Sequence, residues 1–107
     1  MSIKRLDPGP RMSQAVIFQG VVSTAGQVAQ RAGGEPVEAQ TRDILARIDE
    51  LLAEAGTDKS KLLTATIWLS DIGTFAEMNA VWDAWVDPNN APTRACVESR
   101  LASPKFS

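Results

Sequence analysis

Arg94, Cys96, Glu98 and Arg100 stand two residues apart within Ala91–Leu101, and a β-strand sends alternate side chains to opposite faces. Read as a strand, this stretch lines up a guanidinium, the chain's single thiol, a carboxylate and a second guanidinium on one side. Thr93, Ala95, Val97, Ser99 and Leu101 then fill the other. A guanidinium fork meets a carboxylate through two parallel hydrogen bonds, a geometry that lysine does not offer. Arg94 is therefore a candidate anchor for a small carboxylate. Cys96 admits two readings: a nucleophile, if a neighbouring base or positive field activates it, or a packing thiol. An edge strand with a solvated charged face accounts for the same alternation without any chemistry.

Composition narrows what such a site can do. The 107 residues include no histidine, which removes the usual triad base and the commonest metal ligand. One cysteine excludes an internal disulfide framework and a multi-thiolate zinc site. No cofactor and no metal are expected. A net charge of -2 with no basic stripe argues against a nucleic-acid partner, because phosphate binding relies on clustered Lys and Arg. No segment approaches the roughly 18 apolar residues of a membrane span, and Met1–Arg5 is not followed by an apolar run of signal-peptide length. The expectation is a soluble cytoplasmic protein with no membrane partner. One domain over residues 1–107 suits this length. A domain of that size buries about 65% of its unfolded surface, thin for a closed cavity, so a real pocket is expected to need a neighbouring subunit.

The elements that must position these groups follow in chain order. Ser2–Leu6 reads as an opening strand stopped by Asp7-Pro8-Gly9-Pro10. Ala15–Phe18 and Val21–Gly26 flank Gln19-Gly20 at tight-hairpin spacing. Gly26 ends that strand, either to let a ligand approach the backbone or as a bulge or turn. Gln27–Gly34 is a polar loop, and Pro36 suits the first turn of a helix whose apolar stripe is Ile44, Leu45, Ile48, Leu51, Leu52 and Ala55, closed by Gly56. Glu38 with Arg42 and Asp43 with Arg47 are spaced as ion pairs on its wet face.

Lys61–Ser70 is a central strand with no charge on either face within Leu62–Leu69: Leu63, Ala65, Ile67 and Leu69 point one way, Leu62, Thr64, Thr66 and Trp68 the other. Two helices joined by short connections cover one side of a sheet, so the Trp68 face asks for a partner. Thr74 and Glu77 match a capping box opening a second helix with Phe75, Met78, Val81, Trp82 and Trp85. The two tryptophans read as core. Asn79, polar beside that stripe, is either surface or reaches toward the last strand's loop.

Taken together, Arg11-Met12-Ser13, Thr24-Ala25-Gly26-Gln27, Thr66–Asp71 leading into Phe75–Asn79, and Ala91–Glu98 resemble the RidA/YjgF family of small enamine/imine deaminases, in order and spacing and nearly end to end. The resemblance implies a chorismate-mutase-like α+β fold, a mixed β-sheet with two helices packed on one face. It also implies a homotrimer with clefts between subunits. The family's substrate is a reactive 2-enamine or 2-imino acid, hydrolysed to a 2-keto acid and ammonia without a cofactor. By the resemblance Arg94 grips the substrate carboxylate, Gly26 and Ala25 offer backbone contacts, Cys96 lies close by, and Met12 stands where the deaminase branch carries an aromatic residue. A serine common before the glycine is Ala25 here. The family places a glutamate that positions water on a strand following the counterpart of Ser107, which lies outside this sequence. Glu98 is read as structural before catalytic. The competing expectation is a trimeric, non-catalytic binding protein for small carboxylates such as 2-keto acids. Ribonuclease behaviour, credited to some members, finds no physical support in an acidic chain without histidine.

Overall fold

A computed structural model describes residues 2–107. It has five strands and two α-helices, in the order β1 (Lys4–Pro8), β2 (Ser13–Phe18), β3 (Val21–Thr24), α1 (Val37–Glu54), β4 (Thr64–Leu69), α2 (Phe75–Trp85) and β5 (Thr93–Glu98), with one-turn 3-10 helices at Lys59–Lys61 and Ile72–Thr74. The expected mixed pairing is divided between two ladders: β1-β2-β3 is antiparallel, and β4-β5 is parallel.

The hairpin forms as its spacing predicts. Gln19 and Gly20 take φ of 50° and 78°, the double left-handed turn whose twist matches the flanking strands. The opening strand runs further than expected, since Pro8 pairs opposite Ser13. β1 is an edge strand, where a missing N–H leaves no ladder bond unmade. Asp7, at φ 46°, is held by Arg47 at 3.1 Å.

α1 ends in a Schellman motif: Gly56, at φ 85°, donates its N–H to the Ala53 carbonyl, and Thr57 to that of Leu52. Glu38 and Arg42 pair at 3.9 Å as expected. Asp43 and Arg47 do not pair. The Asp43 carboxylate instead accepts the N–H groups of Arg31 and Ala32, fastening the loop before α1, while Arg47 turns to Asp7 and Glu50. The Thr74 capping box is also absent. Asp71 accepts from the Gly73 N–H through its side chain and from the Thr74 hydroxyl through its carbonyl, so the cap lies one turn earlier. After α2, hydrogen bonds from Asn90 and the Asn89 N–H hold the Asp87 carboxyl below the usual carboxylate range.

Val37 and Leu45 from α1, Met78 and Trp82 from α2, and Leu69 from β4 form a buried cluster that Ala65, Ile67 and Cys96 pack against. Both helices thus cover the same face of β4-β5. The opposite face stays open, with Trp68 49% and Val97 44% exposed, as the alternation along β4 predicts. Among the described residues no helix is long and apolar enough to cross a membrane.

Gln40, buried to 3% exposure, donates to the carbonyls of Glu35 and Lys105 and accepts from the Ser107 N–H. One side chain therefore ties the segment after β5 to α1. Gln40→Ala leaves those three backbone groups without this partner and is expected to destabilise the chain by about 2–4 kcal/mol, read as a lower urea midpoint and faster proteolysis within residues 99–107.

Candidate functional site

α2 is the connection that makes β4 and β5 parallel, because strands running the same way need a long crossover. In the resulting register Arg94 lies beside Ala65, and Cys96 beside Ile67. The small Ala65 leaves room for the longer side chain. Phe75, Asn79 and Trp82, spaced four and three apart, share one face of α2. The Asn79 Oδ1 accepts a hydrogen bond from Arg94 Nη1 at 2.6 Å. The guanidinium carbon sits 5.7 Å from the Phe75 ring centre and 5.3 Å from that of Trp82. Arg94 is half-buried, and among the described residues no carboxylate lies within ion-pair distance of it.

The orientation of β5 reverses one expectation. The face carrying Arg94 and Cys96 turns toward the helices, and the face expected to be filling, with Thr93, Ala95 and Val97, is the exposed one. Cys96 is half-buried against the core cluster. Arg100 falls beyond the strand's end at Glu98 and is exposed. Glu98 accepts the Ile72 N–H at 3.0 Å, anchoring the turn that leads into α2.

Met12, Ala25 and Gly26 gather at one end of the other ladder. The Met12 carbonyl closes the β1–β2 turn by accepting from the Gly9 N–H, while its side chain is 49% exposed. Ala25 donates to the Gln14 carbonyl and accepts from Gln27 Nε2, which also reaches Gln14 Oε1. Gly26 is not held by a positive φ, and a Cβ built there meets no atom of the chain within 4 Å. Neither a left-handed backbone nor packing within the chain accounts for it. The candidates thus fall into two groups, Arg94 with Cys96 and Met12 with Ala25 and Gly26, on ladders that share no strand pairing. Of the two readings open for Asn79, the one reaching toward the last strand holds, since its partner Arg94 lies on β5; Gln40 is the buried polar residue that spacing did not single out. Asn79's signal was its place between two aromatics on one helix face.

The fold that carries these residues, a βαβ unit beside a separate three-stranded meander, has close counterparts. A family profile described as Endoribonuclease L-PSP matches residues 2–107. A crystal structure of a YjgF-family protein from Neisseria meningitidis superposes with a TM-score of 0.95 at 48% identity, covering 99% of this chain and 87% of that one. A RutC family protein of Haemophilus ducreyi is 43% identical over 104 residues, 97% of this chain and 88% of that protein. More distantly, a 2-iminobutanoate/2-iminopropanoate deaminase of Salmonella typhimurium is 32% identical over 91 residues, 79% of this chain and 71% of that protein. The chain belongs to the RidA/YjgF family, the L-PSP group.

Because a methyl group at position 26 meets open space, Gly26→Ala is expected to leave thermal stability unchanged or raise it slightly. Affinity for a small 2-keto acid is expected to fall about tenfold, or about 1.4 kcal/mol. Calorimetric melting and ligand titration of the same protein separate the two effects.

Proposed function

We propose that the protein hydrolyses reactive 2-enamine and 2-imino acids to 2-keto acids and ammonia, at clefts between the subunits of a homotrimer. The observation that carries this reading is Arg94, half-buried with one nitrogen bound to a neutral amide and no carboxylate partner among the described residues. A cation so placed has donors to spare for an anionic ligand, and a carboxylate matches its fork. The name of the Salmonella relative supports the imino-acid substrate. The separation of the Arg94 and Gly26 half-sites onto two ladders, together with the open Trp68 face, supports assembly from more than one subunit.

In the reaction, water adds to the imine carbon, a proton passes to nitrogen, and the carbon–nitrogen bond breaks to release ammonia and leave the 2-keto acid. Such imines already decay in water, so a thousandfold gain requires on the order of 4 kcal/mol. Holding the carboxylate, placing the water and one proton transfer suffice for that. Arg94 performs the first task and the backbone of Gly26 adds a polar contact. Cys96, packed against the core cluster, lines the site as a thiol that need not react. The setting that fits is the cytoplasm, where pyridoxal-phosphate enzymes release these intermediates. A binding protein for 2-keto acids on the same scaffold is the second reading. It is favoured by Glu98, the nearest acid along β5, being engaged by Ile72.

The test couples an amino-acid oxidase or dehydratase to the protein with semicarbazide competing for the imine. Native protein is expected to speed keto-acid release, and Arg94→Ala to remove the acceleration while the oligomer persists by size-exclusion chromatography. Cys96→Ala is expected to retain activity within about threefold, under 1 kcal/mol in the barrier. Keto-acid binding that depends on Arg94 without any acceleration selects the binding protein. Full activity in Arg94→Ala overturns both readings.

A further inference from the structure

We infer that Asn79 is a positioning residue for Arg94, fixing the rotation of its guanidinium so that the fork is presented to a carboxylate with its charge uncompensated. The inference rests on reading Arg94 as the carboxylate grip.

Arginine carries five N–H donors in a rigid plane on a long stem that turns through many rotamers. Two parallel hydrogen bonds form only if the correct edge of that plane meets the ligand. The rings of Phe75 and Trp82, 5.7 and 5.3 Å from the guanidinium carbon, attract the cation without a directional hydrogen bond to any one nitrogen. Asn79 provides the direction through its 2.6 Å contact with Nη1. The chemical type matters as much as the place. An aspartate would orient the fork equally well but would supply the counter-ion that a ligand carboxylate must otherwise be. The neutral amide orders Arg94 and leaves its charge to the ligand. Seated one helical turn after Phe75 and one before Trp82, Asn79 belongs to the face of α2 that meets β5.

The experiment titrates pyruvate, and separately chloride, into native protein, Arg94→Ala, Asn79→Ala and Asn79→Asp, with circular dichroism and melting confirming the fold of each. Asn79→Ala is expected to weaken pyruvate binding tenfold or more while chloride affinity moves less than twofold, since a spherical ion does not need an oriented fork. Asn79→Asp is expected to weaken both anions, and pyruvate more than Asn79→Ala does. Should Asn79→Ala not fold, Asn79→Ser, equally neutral and too short to hold Nη1, takes its place in the same two titrations. Equal weakening of both anions in Asn79→Ala indicates general loosening and overturns the positioning role, as does pyruvate affinity within twofold of native in either Asn79 variant. Native pyruvate affinity in Arg94→Ala overturns the grip itself, whatever the Asn79 variants do.

Discussion

Parallel pairing of β4 and β5 is the constraint on which the rest of this chain depends. Two strands running the same way cannot be joined by a tight turn, so the chain between them must climb back across the sheet, and here α2 makes that crossing. Once α2 lies on β4-β5, the inner face of both strands is committed to the helices. Ala65, Ile67 and Leu69 supply its apolar part. The same geometry carries Arg94 inward with them, since it faces the same way as its register partner Ala65. Arg94, the candidate anchor, is thus placed by the topology that builds the core.

That topology also explains what could and could not be read from residue order. The hairpin at Gln19-Gly20, the stripe of α1, its end at Gly56 and the two-faced alternation of β4 are local patterns, each visible within a dozen residues. The inward face of β5 is not local. Alternation separates Arg94 and Cys96 from Thr93 and Ala95, but which set meets the helices depends on where α2 sits. Hydrophobicity pointed the wrong way, because the half-buried pair includes the charged Arg94. The Asp43 and Thr74 misreadings share a cause: both patterns offer a stabilisation of a few tenths of a kcal/mol to about 1 kcal/mol. In each case a backbone N–H or carbonyl nearby made a better partner available. The candidate site was legible as residue types and as a family resemblance. Its Asn79 contact required the crossing helix to be in place.

The loops around α1 and at the end of the second ladder are held by side-chain hydrogen bonds, beside the buried Leu6 and Ala15 of that ladder. Asp43 fastens Arg31 and Ala32, Gln40 fastens Glu35, Lys105 and Ser107, and Gln14 with Gln27 fastens Ala25. The Gly34 N–H reaches the same Lys105 carbonyl as Gln40. Buried or half-buried amides serve here because each offers both donors and an acceptor, and so can satisfy several backbone groups that no regular element reaches. The backbone at Ala25 is consequently held from both sides, next to a glycine with open space where a side chain would stand.

A guanidinium drawn partly out of water without an anion beside it is unfavourable in isolation, and the neighbours chosen for Arg94 offset that without neutralising it. Aromatic faces attract a cation by about 0.5–2 kcal/mol, and a hydrogen bond involving a charged group is worth about 1.5–3 kcal/mol. None of these partners carries negative charge. An aspartate at position 79 would give a more stable ion pair and a poorer site, since an incoming carboxylate would first have to displace it. What separates a structural arginine from a binding one is the charge of what already touches it, and Phe75, Asn79 and Trp82 leave the charge of Arg94 unneutralised.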